Sequence, residues 1–87
     1  MSRYAVEISR RASRQLGALQ RRDHQRVRAA IELLADEPRP PGCRPLVGEE
    51  NLWRVRVGDF RIVYRILYDR LLVLVLTIGH RREVYRS

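Results

Sequence analysis

The chain has 87 residues, enough for one small domain with one hydrophobic core, and this length excludes a second domain. Hydrophobic residues make up 45% and charged residues 32% of the chain, which is a globular composition and excludes a disordered or fibrous protein. All eighteen basic residues are arginine, set against ten acidic ones, and the formal net charge of +8 indicates an anionic partner.

The sequence before Pro38 predicts one strand followed by two helices. Apolar residues alternate with others over residues 4–8, which is the period of a strand with one buried face. Ser9 then stands at the N-cap position of a helix, and Asp23 can cap a second helix whose apolar positions recur through 27–34. Pro38 and the prolines after it end this helix. Because the link between the helices is short, we expect an antiparallel hairpin that covers a sheet.

The carboxyl-terminal half predicts three further strands. Residues 38–48 are rich in proline and glycine and are predicted as a surface loop. Strands follow at 52–57, 60–68 and 71–78, separated by short turns at Gly58-Asp59 and Asp69-Arg70. The last strand is apolar on both faces, as a central strand is, so we expect the first strand beside it. The prediction is a single α+β domain over 1–87, of pattern β-α-α-β-β-β. Its four-stranded, mainly antiparallel sheet has the order first, fourth, third, second, with the helical hairpin on one face.

A two-residue turn at Gly58-Asp59 determines which residues oppose one another in the predicted sheet. Arg56 then lies across from Arg61, and Arg54 shares their exposed face, while the apolar residues of both strands lie under the helices. Opposed like charges cost a sheet up to about 1 kcal/mol, so the arrangement indicates an anion site. The planar fork of arginine donors matches phosphate oxygens. The alternative is that these arginines only form the hydrated, polar face of an amphipathic strand.

The carboxyl-terminal segment concentrates functional side chains in few residues. Gly79 interrupts the strand pattern, so we expect His80, Arg81, Arg82 and Tyr85 to emerge at the edge of the arginine-bearing face. A phenol, an imidazole and guanidinium groups together suit acid-base and phosphate chemistry without a metal. As the alternative, the tyrosine is a packing residue and the histidine a surface residue.

Cysteine content and hydropathy indicate the cellular compartment. A single cysteine, Cys43, cannot form an internal disulfide, and with two histidines the chain lacks the ligands of a structural zinc site. We expect no metal and no other cofactor. The amino terminus has no apolar stretch of signal-peptide length, and the apolar run at 71–79 is too short to span a bilayer as a helix. We therefore expect a cytoplasmic protein without membrane attachment.

The run LVGEENLWRVRVGDFRIVYRI, followed by LLVLVLTIGHRREVYRS, closely resembles the RelE branch of the RelE/ParE superfamily of toxins from toxin-antitoxin systems. The layout of the preceding residues is similar to that of the same family. The resemblance implies an endoribonuclease that binds the ribosomal A site and cuts messenger RNA there without a metal, through attack of the ribose 2′-hydroxyl on the adjacent phosphate. It also implies three partners: the ribosome, messenger RNA and an acidic, RelB-like antitoxin.

The resemblance assigns roles to individual residues. The catalytic positions of the family match Arg56, Arg61, Arg81 and Tyr85, with Tyr85 as general base and Arg56 and Arg61 on the phosphate oxygens. A phenol is mostly protonated near neutral pH, so neighbouring guanidinium groups have to favour the phenolate of Tyr85. We expect Arg54, His80 and Arg82 to bind the substrate. Either Arg81 or His80 assists the departing 5′-oxygen, and the sequence leaves that choice open.

Two other functions share these sequence features. A ParE-like inhibitor of DNA gyrase has the same fold, and a noncatalytic module for RNA or DNA uses arginines only to neutralise phosphates. The presence of all five family positions at 54, 56, 61, 81 and 85 favours the nuclease, because a gyrase inhibitor has no evident need for the whole set.

Overall fold

The computed structural model describes residues 3–80, which form a five-stranded sheet and two α-helices. The elements in chain order are β1 (Ala5–Ile8), α1 (Arg10–Gly17), α2 (Arg21–Leu33), β2 (Arg44–Pro45), β3 (Leu52–Val57), β4 (Phe60–Leu67) and β5 (Leu72–His80), with a 3₁₀ turn at Tyr68–Arg70 between the last two. The sheet order is β1-β5-β4-β3-β2, and within it only β1 and β5 run parallel. Over this range of the chain, no helix is both long and apolar enough to cross a membrane.

The predicted α+β fold and the order of its four strands are confirmed, and β2 is an addition at the sheet edge. In the segment predicted as a surface loop, Arg44 and Pro45 pair with Arg54 and Trp53 of β3. A strand of two residues is too short to show the period of two by which strands are recognised in a sequence. The proline is compatible with an edge strand, where no further strand needs its missing N–H group.

Strand β1 follows the predicted alternation only in part. It lies at the other edge of the sheet, parallel to β5, with Ala5 in register with Leu72. Tyr4 and Val6 pack against the core, whereas Ile8 is 39% exposed. Ile8 is the last residue of an edge strand and has a neighbouring strand on one side only, which leaves its side chain partly open to solvent.

Helix α1 begins as the sequence predicts. The Ser9 hydroxyl accepts a hydrogen bond from the Ala12 backbone N–H at 3.0 Å and donates one to the Leu76 carbonyl at 2.8 Å. The first bond satisfies an N–H group that has no acceptor within the helix, and the second ties the start of the helix to β5. The predicted N-cap is therefore confirmed, and it also joins the helical layer to the sheet.

Helix α2 begins earlier than predicted. Its N-cap is Gln20, whose side chain makes no capping hydrogen bond among the described residues, and Asp23 lies within the first turn. The prediction of Asp23 as the cap is therefore wrong, although a carboxylate in the first turn still interacts favourably with the helix dipole. His24 donates from Nδ1 to the Leu16 carbonyl at 2.9 Å, which holds the start of α2 against the end of α1.

The connection between β4 and β5 differs from the predicted two-residue turn. A 3₁₀ turn occupies Tyr68–Arg70, and Leu71 follows it with a φ of 49°, in the left-handed region. β5 then continues to His80 instead of ending at residue 78, so the predicted interruption of the strand at Gly79 is wrong. Gly79 pairs with Arg61 across the two central strands, and a glycine at a strand position allows neighbouring groups to approach closely.

The core lies between the helices and one face of the sheet. Its buried side chains are Ala12, Leu16, Val27, Ile31 and Leu34 from the helical layer, and Ile62, Tyr64, Ile66, Val73, Val75 and Ile78 from β4 and β5. A register shift between Val63 and Tyr64 interrupts the β4–β5 ladder. Nearby, the Gln15 side-chain oxygen accepts hydrogen bonds from Thr77 Oγ1 at 3.0 Å and from the Ile78 N–H at 2.6 Å. Helix α1 thus supplies an acceptor to β5 close to the shift in its ladder.

Replacing Ser9 with alanine removes the helix cap and the bond to β5. We expect Ser9→Ala to lower the free energy of unfolding by about 1 kcal/mol, the usual cost of losing a serine N-cap. Urea denaturation followed by circular dichroism measures the change. Ser13→Ala is the matched control: Ser13 is exposed within the same helix, where alanine has the higher helix propensity, so this variant should be no less stable than the parent. Equal stability of Ser9→Ala and the parent would contradict the role of the cap.

Candidate functional site: the arginine face

The β3–β4 hairpin has the predicted register, which gathers arginines on one face of the sheet. Arg56 pairs with Arg61 across the turn at Gly58-Asp59, and Arg54 lies two residues before Arg56 on the same strand. The apolar residues that alternate with them pack against the core under the helices, so the arginines lie on the opposite face. We call the surface formed by Arg44, Arg54, Arg56 and Arg61 the arginine face; together with Gly42 these residues line a cavity of about 460 Å³.

The four arginines of this face lie at different depths. Arg61 is 4% exposed, Arg54 is half-buried, and Arg56 and Arg44 are exposed. The prediction that Arg61 is exposed is therefore wrong. β4 lies between β3 and β5, so a side chain near its start has neighbours on both sides. Burial lowers the local dielectric constant, which strengthens the attraction between a guanidinium group and an anion that reaches it.

Arg44 is a member of the arginine face that the sequence analysis missed. It belongs to the short strand β2, where it pairs with Arg54 of β3. Its side chain is exposed and borders the same cavity as Arg56 and Arg61. The signal in the sequence was weak, because the preceding Gly42 and the following proline are typical of a loop.

Contacts with side chains on the helix side of the sheet hold the segment that precedes β2. The Tyr64 hydroxyl donates a hydrogen bond to the Pro38 carbonyl at 2.7 Å. Burial raises the pKa of Tyr64 well above its ordinary value, and the nearby Cys43 adds to the rise, so this phenol stays protonated and remains a donor at physiological pH. The Arg39 guanidinium lies 5.9 Å from the centre of the Trp53 ring, within the range of a cation–π contact.

His80 lies on the opposite side of the sheet from the arginine face. It pairs with Phe60, and the two rings meet edge to face with centroids 5.6 Å apart and planes at 83°. Its predicted position at the edge of the arginine face is wrong, because β5 continues through His80 and the alternation of the strand determines its face. His80 instead borders a cleft of about 440 Å³ beside the Gly58-Asp59 turn, which Asp23 and Arg26 also line.

Three predicted site residues, Arg81, Arg82 and Tyr85, lie outside the described residues. Their roles stay predictions. The last described residues lie next to Arg61, because Gly79 of β5 is the register partner of Arg61 in β4.

The remaining arginines show how the positive charge is distributed. Those of the two helices are exposed, namely Arg10, Arg11, Arg14, Arg21, Arg22, Arg26 and Arg28. Arg28 forms an ion pair with Glu32 one turn later on α2, at 3.9 Å. Between residues 3 and 80, no group of three or more His, Cys, Asp and Glu side chains is arranged to hold a metal ion.

Comparison with known proteins connects this fold to a family. The family model for the ParE toxin of type II toxin-antitoxin systems, parDE, matches residues 6–85. A Methanocaldococcus jannaschii protein provisionally named toxin RelE1 is 28% identical over an alignment of 88 positions that covers 98% of each chain. A chain of the toxin-antitoxin complex RelBE2 from Mycobacterium tuberculosis is 30% identical, with a TM-score of 0.73 over 93% of this chain and 94% of that one. A chain of the archaeal RelE-RelB complex from Pyrococcus horikoshii is 25% identical, with a TM-score of 0.81 over 91% of this chain and 96% of that one.

Neutralising Arg56 tests whether the opposed charges repel each other. Arg56 is exposed, so its removal leaves little unfilled space, and we expect Arg56→Gln to be as stable as the parent or more stable by up to about 1 kcal/mol. Denaturant unfolding of the purified chain measures the difference. Arg70→Gln is the matched control: it removes the same charge from the exposed turn at the other end of β4 and should change stability less. A loss of more than about 2 kcal/mol in Arg56→Gln would contradict the repulsion. Arg61 is not suited to this test, because truncating a buried side chain also removes packing.

Proposed function

The chain belongs to the ParE toxin family of type II toxin-antitoxin systems, within the RelE/ParE superfamily, and we propose that it is a ribosome-dependent endoribonuclease that cuts messenger RNA in the A site. The observation that carries this proposal is the pair of arginines, Arg56 and Arg61, which are register partners on neighbouring strands and line one concave site. A chain selected for stability alone has little reason to oppose like charges across two strands, whereas a site that binds a phosphodiester needs them close together.

The proposed reaction needs no metal ion. The ribose 2′-oxygen attacks the adjacent phosphorus, and the bond between that phosphorus and the 5′-oxygen breaks. A general base takes the proton of the 2′-hydroxyl, and the departing 5′-oxygen acquires a proton. The products are a 2′,3′-cyclic phosphate and a 5′-hydroxyl end. Positive charge for the transition state comes from the arginines.

The arginine face supplies the electrostatic part of this reaction. Arg61 and Arg56 hold the non-bridging phosphate oxygens, on which negative charge grows in the transition state, and Arg54 assists them. Because Arg61 is 4% exposed, it is the arginine of this face whose interaction with the anion is least weakened by solvent.

The family resemblance supports the remaining roles. Tyr85 is the general base toward the 2′-hydroxyl, Arg81 stabilises the departing 5′-oxygen, and Arg82 contacts the substrate. The position of His80 against Phe60, on the helix side of the sheet, favours Arg81 over His80 at the 5′-oxygen. Under the proposal, His80 contacts only RNA that reaches the cleft on the helix side.

The toxin has an antitoxin as its partner, as members of toxin-antitoxin systems do. We propose that this antitoxin is a small acidic, RelB-like chain and that the ribosome and its messenger RNA are the targets. The net charge of +8 and the exposed arginines of both helices suit an acidic peptide and ribosomal RNA alike. Action on ribosomes implies a cytoplasmic site of action.

Inhibition of DNA gyrase is the second candidate, because the matching family model describes the ParE toxin. It shares the fold but makes no use of opposed guanidinium groups around a phosphodiester. The two functions leave different lesions in the cell, namely cut messenger RNA in one case and broken or abnormally supercoiled DNA in the other.

Mapping of messenger RNA ends separates these functions. After induction in a cell that lacks the antitoxin, we expect new 5′ ends carrying a 5′-hydroxyl within the coding regions of ribosome-bound messages. Sequencing of ends before and after enzymatic phosphorylation identifies them, and RNA free of ribosomes is the control. DNA breaks without new RNA ends would favour gyrase inhibition, and growth arrest without either lesion would favour a noncatalytic binding module.

Substitution of two site residues tests the assigned roles. We expect Arg61→Ala and Tyr85→Phe each to abolish growth arrest, because each removes chemistry needed in the transition state. Growth after induction at matched soluble expression is the measurement. Arg70→Ala, at the exposed turn far from the arginine face, is the control and should remain toxic. Full toxicity in either site variant would remove that residue from the mechanism.

A further inference from the structure

The turn between β3 and β4 is in contact with a side chain of helix α2. The Nη1, Nη2 and Cζ atoms of Arg26 lie 3.3, 3.3 and 3.4 Å from the point that a Cβ atom of residue 58 would occupy, and residue 58 is a glycine. Because the three distances are nearly equal, the guanidinium group presents its planar face, and not its edge, to the turn. Arg26 therefore stacks on Gly58, a contact that depends on the planar shape of the guanidinium group.

The backbone of Gly58 suits this contact. Its φ is 59°, whereas Asp59, the second central residue of the turn, does not have a positive φ. A positive φ at the first central residue only is the pattern of a type II′ hairpin turn, which favours glycine there. A Cβ atom at residue 58 would also push the guanidinium group away by a few tenths of an ångström. The lack of a side chain at this position therefore permits both the turn and the close approach of Arg26.

Ion pairing does not account for the position of the Arg26 side chain. Asp23 and Asp59 line the same cleft, but the guanidinium group of Arg26 forms no ion pair or hydrogen bond with a residue in the range 3–80. The next residue, Val27, is fully buried in the core, which fixes the backbone of α2 at this point. The side chain of Arg26 thus extends from a fixed helix to the turn.

The contact supports a part of β3 that has few other neighbours. β2 pairs only with Trp53 and Arg54, so in the described sheet the end of β3 has β4 on one side and no strand on the other. This end carries Arg56. Arg56 and its register partner Arg61 each lie one residue beyond the pair that closes the turn. A displacement of the turn therefore changes the positions of both residues.

We propose that Arg26 is a positioning residue, whose stacked guanidinium group holds the β3–β4 turn and thereby fixes Arg56 relative to Arg61 during cleavage. The importance of this contact for cleavage rests on the proposed function. Arg26 lines the cleft on the helix side of the sheet and acts without touching the scissile phosphate. Catalytic groups need such support, because small errors in their placement lower the rate of the chemical step.

Amide hydrogen exchange of the purified chain tests the contact with the turn. In Arg26→Ala we expect exchange at residues 57–60 to become about tenfold faster through local opening, and exchange at residues 64–66 in the core of β4 to stay unchanged. Arg22→Ala is the matched control, because it removes an exposed arginine of the same helix that lies outside the cleft. Arg26→Lys keeps the charge without the planar group and should show most of the increase.

Cleavage of messenger RNA on programmed ribosomes tests the positioning role. Arg26→Ala and Arg22→Ala each lose one positive charge, so we expect the same small rise in KM for both variants. We expect kcat to fall about tenfold in Arg26→Ala alone, because misplacement of Arg56 and Arg61 acts on the transition state.

The two measurements separate the possible failures. Unchanged exchange at residues 57–60 in Arg26→Ala, or an equal increase in Arg22→Ala, would overturn the contact with the turn. An unchanged kcat in Arg26→Ala would overturn the positioning role. A parent chain that cuts no RNA would overturn the proposed function and this role with it, and that failure is distinguishable because it requires no substitution.

Discussion

The register of the β3–β4 hairpin is the constraint on which the rest of the structure depends. A two-residue turn at Gly58-Asp59 sets Arg56 against Arg61, and the alternation of side chains then sends every second residue of both strands to the same face. A slip of one residue would move the apolar side chains of one of the two strands into solvent and the arginine side chains of that strand under the helices. Stability and charge arrangement therefore cannot vary independently, because one register determines both.

The helical layer stabilises this register by burying the apolar face of the hairpin. Val27 and Ile31 of α2 and Ile62 and Tyr64 of β4 belong to one buried cluster. Burial of such side chains contributes about 1.5–3 kcal/mol each, whereas one pair of opposed charges costs a sheet up to about 1 kcal/mol. Gln15 connects the same layer to β5 through two hydrogen bonds near its register shift. The buried face therefore stabilises the register that also places the arginines on the other face of the same sheet.

Predictions from the sequence were correct where a structural element shows a pattern over several residues. They were wrong where the structure depends on only one or two residues. The hairpin register follows from counting residues across a turn, and the order of the four predicted strands follows from the apolar character of β5. Strand β2 was missed because two residues carry no period. The face of His80 differs from the prediction because Gly79 does not end the strand, and strand pairing continues past it. The burial of the Arg61 side chain depends on neighbouring residues in other strands, and the alternation of residues within one strand gives no information about them.

Strand β2 also determines what can approach the sheet at the edge beside the cavity. This edge presents only Arg44 and Pro45, and the proline has no N–H group to offer to another strand. A short edge with a proline and a positive charge is a poor template for the addition of a strand from a second molecule. Self-association through backbone pairing is therefore discouraged at this margin.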